Sequence, residues 1–143
     1  MSKVLLFIFL TFSVTGAFAC SCIVKDPSLK ASIRSHVALA QVKTLSREKV
    51  LTGRGEYYKT KVSIVKFWKG NSNLQEYFLL TETEESSSCG GPAPVLGEEL
   101  LVFAWAQDEG YLYSGGCSSY SSVNHEHTKS EIEKIKKYFG KGA

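Results

Sequence analysis

YYKTKVSIVKFW, residues 57–68, alternates along its whole length. Tyr58, Thr60, Val62, Ile64, Lys66 and Trp68 fall on one face, and Lys59, Lys61, Ser63, Val65 and Phe67 on the other. A period of two with β-branched and aromatic residues predicts a strand, not a helix. Lys69-Gly70-Asn71-Ser72 turns the chain, and Leu74 to Thr83 reads as the next strand. Upstream, Val37 to Leu45 alternates as well, with Val37, Leu39 and Gln41 on one face and Ala38, Ala40 and Val42 on the other. Between these strands, Arg47 to Gly55 carries charge and two glycines and reads as a loop.

Further along, Glu84 to Glu98 is a long loop rich in Ser, Gly and Pro. Glu99 to Ala106 (ELLVFAWA) is apolar on both faces, which predicts a central strand. Asp108-Glu109-Gly110 turns back, and Tyr111 to Ser114 pairs as a hairpin. Two helices flank the strands. Asp26-Pro27-Ser28 opens the first, with Asp26 as cap, Leu29 and Ile33 on one side, and an end near Ser35. Thr128-Lys129-Ser130-Glu131 reads as a capping box opening the last, with Ile132, Ile135 and Phe139 as its buried stripe and Gly140 as its stop. The expected fold is mainly β: a five-stranded Greek-key barrel with a short N-terminal helix and a C-terminal helix.

The chain has 143 residues, enough for one domain with its own core. Lys and Arg number 17 against 14 acidic residues, a formal charge of +3, with no basic run. That balance argues against a nucleic-acid partner. The first nineteen residues differ from the rest: Lys3, then the apolar VLLFIFLTF at residues 4–12, then Ala17-Phe18-Ala19. This is the pattern of a secretory signal peptide over residues 1–19, with an apolar core too short to span a bilayer. Residues 20–143 then form the secreted domain, beginning at Cys20. Lipidation of the Cys20 sulfur is the competing reading. It fits Ala17 and Phe18 poorly and would leave an odd number of cysteines. Without it, the mature form has no membrane attachment.

Cys20, Cys22, Cys89 and Cys117 follow an export signal, so two disulfides are expected. A Cys20–Cys22 bridge closes a small strained ring and is disfavoured, which sends the two thiols to Cys89 and Cys117. A zinc site built from the four is disfavoured because neither pair has the usual two-residue spacing.

A leader cut before Cys-x-Cys, a five-stranded barrel and two distal cysteines together resemble the tissue inhibitors of metalloproteinases, in their N-terminal netrin-like domain. VSIVKFWKG at residues 62–70, Ser87-Ser88-Cys89-Gly90, Leu101-Val102-Phe103-Ala104 and Gly116-Cys117 look like the family's strands and later cysteines. The resemblance implies an OB-like barrel and the bridges Cys20–Cys89 and Cys22–Cys117. It implies an inhibitor, not an enzyme, with no cofactor of its own, acting as a monomer on a zinc metalloendopeptidase. The free amine and carbonyl of Cys20 would chelate the zinc of that enzyme. Ser21 would enter the pocket beside it, Cys22, Ile23 and Val24 would run along the cleft, and Ser87 and Ser88 would flank them. The family's third bridge and C-terminal subdomain have no counterpart here, and Val24 follows Ile23 where the family has Pro. A netrin-like module that holds a protein partner without contacting zinc is the alternative function.

Other candidates are weaker. His125-Glu126-His127 reads as a solvated loop, and His36 as structural or surface. Ser118, Ser119, Ser121 and Ser122 lack a nucleophile setting. Glu82, Glu84 and Glu85 read as a solvated strand end. Tyr57, Tyr58, Phe67 and Trp68 read as barrel core, not a nucleotide-stacking face.

Overall fold

A computed structural model describes residues 28–83, 92–115 and 120–140. The chain is mainly β. In order it forms α1 (Leu29–Ser35), β1 (Ala38–Thr52), β2 (Gly55–Lys69), β3 (Tyr77–Glu82), β4 (Glu99–Ala104), β5 (Ala106–Asp108), β6 (Tyr111–Ser114), β7 (Tyr120–Ser122) and α2 (Glu126–Gly140). The strands make one sheet in the order β5-β6-β3-β2-β1-β4-β7. Only β3 and β6 run parallel; the other neighbours are antiparallel.

The described strands number seven, not the expected five, and they do not close into a barrel. Two local events account for this. The apolar run at 99–106 breaks at Trp105, so β4 pairs with β1 while β5 pairs with β6. One bent segment therefore belongs to both halves of the sheet and curls it. The seam between β4 and β6 is bridged rather than laddered: Trp105 N–H donates to Tyr113 O at 3.0 Å, and Ser114 Oγ donates to Phe103 O at 3.2 Å. The seventh strand, Tyr120–Ser122, lies in a serine-rich run with no apolar alternation to announce it.

The curl encloses one apolar core, with Ala40, Val42, Val62, Leu79, Val102 and Leu112 all buried. A second core lies on the other face of β1 and β4, where Leu39, Leu101 and Phe103 meet Ile33 of α1 and Ile132 and Ile135 of α2. The expected division of Val37–Leu45 into two faces thus places Leu39 with the helices and Ala38, Ala40 and Val42 inside the curl. Each fully buried aliphatic side chain contributes about 1.5–3 kcal/mol.

Along β2 the alternation predicted from sequence is interrupted. Val42 pairs with Ile64 and Gln41 with Lys66, leaving Val65 as an extra residue; Trp68 is likewise skipped between Phe67 and Lys69. These bulges reverse the side-chain parity. Phe67 therefore packs with Ile64 in the first core, while Trp68 turns to the helices. Of the four aromatics assigned to the core, Tyr57 is buried, but on the outer face, and Tyr58 is only half-buried.

The segment expected as a loop, Arg47 to Gly55, is instead the tip of a long hairpin. β1 runs to Thr52, Gly53 and Arg54 make a two-residue turn, and β2 begins at Gly55. Its outer part projects past the core, so polar side chains on both faces meet water and hide the period of two. Cross-strand pairs Lys49–Glu56 (3.2 Å) and Lys59–Glu48 (3.3 Å) line it. Such exposed pairs add only about 0–1 kcal/mol each, so the backbone ladder carries the arm.

The helix caps also differ. Ser28, not Asp26, caps α1, accepting from Ala31 N–H at 3.2 Å. Asp26 and Pro27 lie outside the described residues. At the other end of α1, Lys69 Nζ donates to the carbonyl oxygens of Ile33 (2.9 Å), Arg34 (3.3 Å) and His36. α2 begins at Glu126, before the expected capping box. Thr128 is buried inside the helix and donates to Ser121 Oγ at 3.1 Å, tying α2 to β7.

Candidate functional site

Cys20, Ser21, Cys22, Ile23, Val24, Ser87 and Ser88 lie outside the described residues, as do Cys89, Cys117 and hence both expected bridges. The residues that flank the two segments carrying Cys89 and Cys117 are described, and those that precede them define one end of the sheet.

Because β3 and β6 are parallel and Thr81 pairs with Ser114, their C-terminal ends lie side by side. The chain leaves β3 through Thr83 toward residues 84–91, and leaves β6 through Gly115 toward residues 116–119. It returns at Pro92 and Tyr120, and the Tyr120 hydroxyl donates to Pro92 O at 2.7 Å. The segments carrying Cys89 and Cys117 therefore depart from neighbouring strand ends and come back at touching residues. The first of these returns is held on β1: Arg47 Nη1 donates to Pro94 O at 2.6 Å, and Thr44 Oγ1 donates to Val95 O at 2.7 Å.

The inside of the curl becomes polar toward this end. Thr60 pairs with Leu79 and Thr81 with Tyr58, so these threonines face inward with the apolar core. Both are buried, and neither Oγ1 has a hydrogen-bond partner among the described residues. Above them the Tyr58 ring carries two cations, with Arg47 Cζ and Lys49 Nζ each 5.6 Å from its centroid. Burial pushes the Tyr120 phenol above its ordinary value, and its proximity to Tyr58 adds to the effect.

The remaining candidates fall elsewhere. His125, Glu126 and His127 are exposed at the start of α2, with His127 Nδ1 3.8 Å from Glu131 Oε2. Among the described residues no cluster of three His, Cys, Asp or Glu could hold a metal. His36 follows α1, its Nδ1 2.7 Å from Ser32 O and its ring edge-on to Phe103, a structural role. Ser121 and Ser122 belong to β7, Glu82 ends β3, and Ser118, Ser119, Glu84 and Glu85 lie outside the described residues. Sequence reasoning missed Tyr120 and Arg47, the tethers of this end. Neither sits in a periodic stretch, and both act through backbone carbonyls that no side-chain pattern reveals.

No described helix is long and apolar enough to cross a membrane. Comparison of the chain with protein-family models and with curated proteins finds no match.

Proposed function

We propose that this protein is a secreted metalloproteinase inhibitor whose amino terminus, freed by cleavage after Ala19, chelates the zinc of a target metalloendopeptidase. The observation that carries the proposal is at one end of the sheet: the strand ends that precede the segments bearing Cys89 and Cys117 lie side by side, and the residues that follow those segments, Pro92 and Tyr120, are hydrogen-bonded. Two bridges, Cys20–Cys89 and Cys22–Cys117, would staple a Cys-x-Cys terminus onto both loops at once. On this reading the open, curled sheet stands where the family has its OB-like Greek-key barrel.

The chemistry is simple. A catalytic zinc keeps one position for water or substrate. An unperturbed α-amine titrates near pH 8, roughly, so the free amine of Cys20 would give up its proton readily to a metal. Its carbonyl oxygen supplies the second ligand. Ser21 enters the neighbouring pocket, and Cys22, Ile23 and Val24 lie along the substrate cleft with Ser87 and Ser88 beside them. A terminus held by two bridges has little freedom left to lose on binding. The chain supplies no cofactor and performs no reaction.

The test begins with intact mass and N-terminal sequencing of the secreted protein. A chain starting at Cys20, four hydrogens lighter and free of lipid, is the expected product. That product inhibits a zinc metalloendopeptidase, and a variant with one extra residue before Cys20 does not, although its circular dichroism is unchanged. Equal inhibition by the extended variant would rule chelation out and leave the netrin-like interaction module.

A further inference from the structure

Leu80 and Tyr113 pair across β3 and β6 on the face opposite Leu79 and Leu112, outside the first core. On that outer face a cleft of about 630 Å³ opens between the tip of the β1–β2 hairpin and the bend at Trp105. Its floor is Leu80 and Tyr57, both nearly buried at 6% and 7% exposure. Its side is an aromatic pair: Trp105, 43% exposed, lies 5.4 Å from Tyr113 with the rings at 48°. Arg54 of the hairpin turn and Asp108 of β5 stand at its rim. Neither side chain takes part in an ion pair or a hydrogen bond among the described residues.

A tryptophan at a strand bend has apolar area to bury and none to spare for water, yet this one presents much of its indole to solvent. It does so beside two unpaired groups of opposite charge. The rim is thus neutral overall, with a forked donor on one side and a carboxylate acceptor on the other. A polyanion would meet Asp108, and a polycation would meet Arg54. The occupant that satisfies all three elements is a neutral ring with a flat C–H face and equatorial hydroxyls. The flat face stacks on the indole, and the hydroxyls bond the guanidinium and the carboxylate. We propose that this cleft binds a pyranose unit of a neutral glycan. The inference is independent of zinc chelation: no residue in the cleft belongs to the proposed inhibitory wedge.

The indole N–H resonances of the purified, ¹⁵N-labelled protein provide the test. Trp105 and Trp68 are its only tryptophans, and Trp105→Phe assigns them. Cellohexaose, fully N-acetylated chitohexaose and xylohexaose are titrated to millimolar concentration. At least one should shift the Trp105 signal saturably and leave Trp68, which packs against α2, in place. Trp105→Ala, followed through the backbone amide resonances of Ala106–Asp108 and Tyr113 in the same titration, should weaken that binding about tenfold or more, equivalent to about 1.4 kcal/mol. Asp108→Asn, a change at an exposed position, should weaken it severalfold while protease inhibition is unchanged. Absence of a shift with all three sugars overturns the proposal. So does binding, read from those backbone amides, that is unchanged in both Trp105→Ala and Asp108→Asn, or a Trp105 shift reproduced equally by an apolar peptide such as Ala-Phe-Ala.

Discussion

The Tyr120 hydroxyl donates to the Pro92 carbonyl oxygen across 2.7 Å, and that bond joins the first described residue after the segment carrying Cys89 to the first described residue after the segment carrying Cys117. Removing the hydroxyl with Tyr120→Phe should lower stability by about 1 kcal/mol, the net worth of one neutral hydrogen bond. Urea unfolding would show this as a shifted midpoint at constant slope. An unchanged midpoint would mean the two returns are held by other contacts.

The same phenol predicts an alkaline limit. Burial holds Tyr120 above its ordinary 10.0, with Tyr58 adding to it, and burial followed by the Glu82 charge does the same for Tyr57. Because the folded-state values are raised, the unfolded chain releases these protons first. Their contribution is complete below about pH 10 and is lost as pH rises through the folded values. Stability measured from pH 8 to 12 should therefore fall on the alkaline side, and less steeply in Tyr120→Phe. Identical slopes for the two proteins would show that Tyr120 does not contribute.

Lys69 gathers the last carbonyls of α1 through Ile33, Arg34 and His36. Lys69→Met keeps the apolar stem and removes the donor, leaving those carbonyls to water. The expected loss is about 1–3 kcal/mol. Faster amide exchange in Leu29–Ser35, with the sheet unaffected, is the local signature. Uniform acceleration across the sheet would instead mean that Lys69 supports the whole fold.

Gly70 turns the chain from β2 at φ +110°, where an added Cβ would lie 2.6 Å from Gln107 Oε1 and 2.9 Å from Ala38 Cβ. Gly70→Ala therefore meets both a strained backbone and a crowded site. It should cost about 1–3 kcal/mol, read as a lowered denaturation midpoint. Gly53→Ala, which meets nothing within 4 Å, is the control and should be nearly neutral.

For the proposed inhibitory end, Ser21→Arg should weaken inhibition by orders of magnitude by crowding the pocket beside the target zinc. The unfolding midpoint should be unchanged. An unaltered inhibition constant would remove Ser21 from the specificity pocket.

Much of the fold was legible because it rests on local periodicity. The alternation of Tyr57–Trp68 holds through Thr60, Val62 and Ile64 before the bulge at Val65, Leu100–Ala104 of the apolar run is buried on both faces, and Ile132 and Ile135 of the helical stripe lie in the second core. Where the chain outruns its core, as in the arm from Arg47 to Gly55, both faces are wet and the signal vanishes. Of the candidate site, the leader pattern and the order of the cysteines stand in the sequence, the proposed wedge rests on the family resemblance, and the tethers Tyr120 and Arg47 left no pattern to read.

The sequence by itself determined a mainly β chain flanked by two helices, behind a leader pattern, because period, caps and composition are local properties of consecutive residues. Only the tertiary structure decided that Val65 and Trp68 would bulge and trade the faces of Phe67 and Trp68. It also decided that Trp105 would bend one strand into two, curling the sheet, and that β3 and β6 would run parallel. Those outcomes depend on which strands lie side by side, and pairing between residues far apart in sequence leaves no mark on either one alone. The parallel pairing brings the departures of the two segments that carry the distal cysteines to one end of the sheet, and the Tyr120–Pro92 bond holds their returns together.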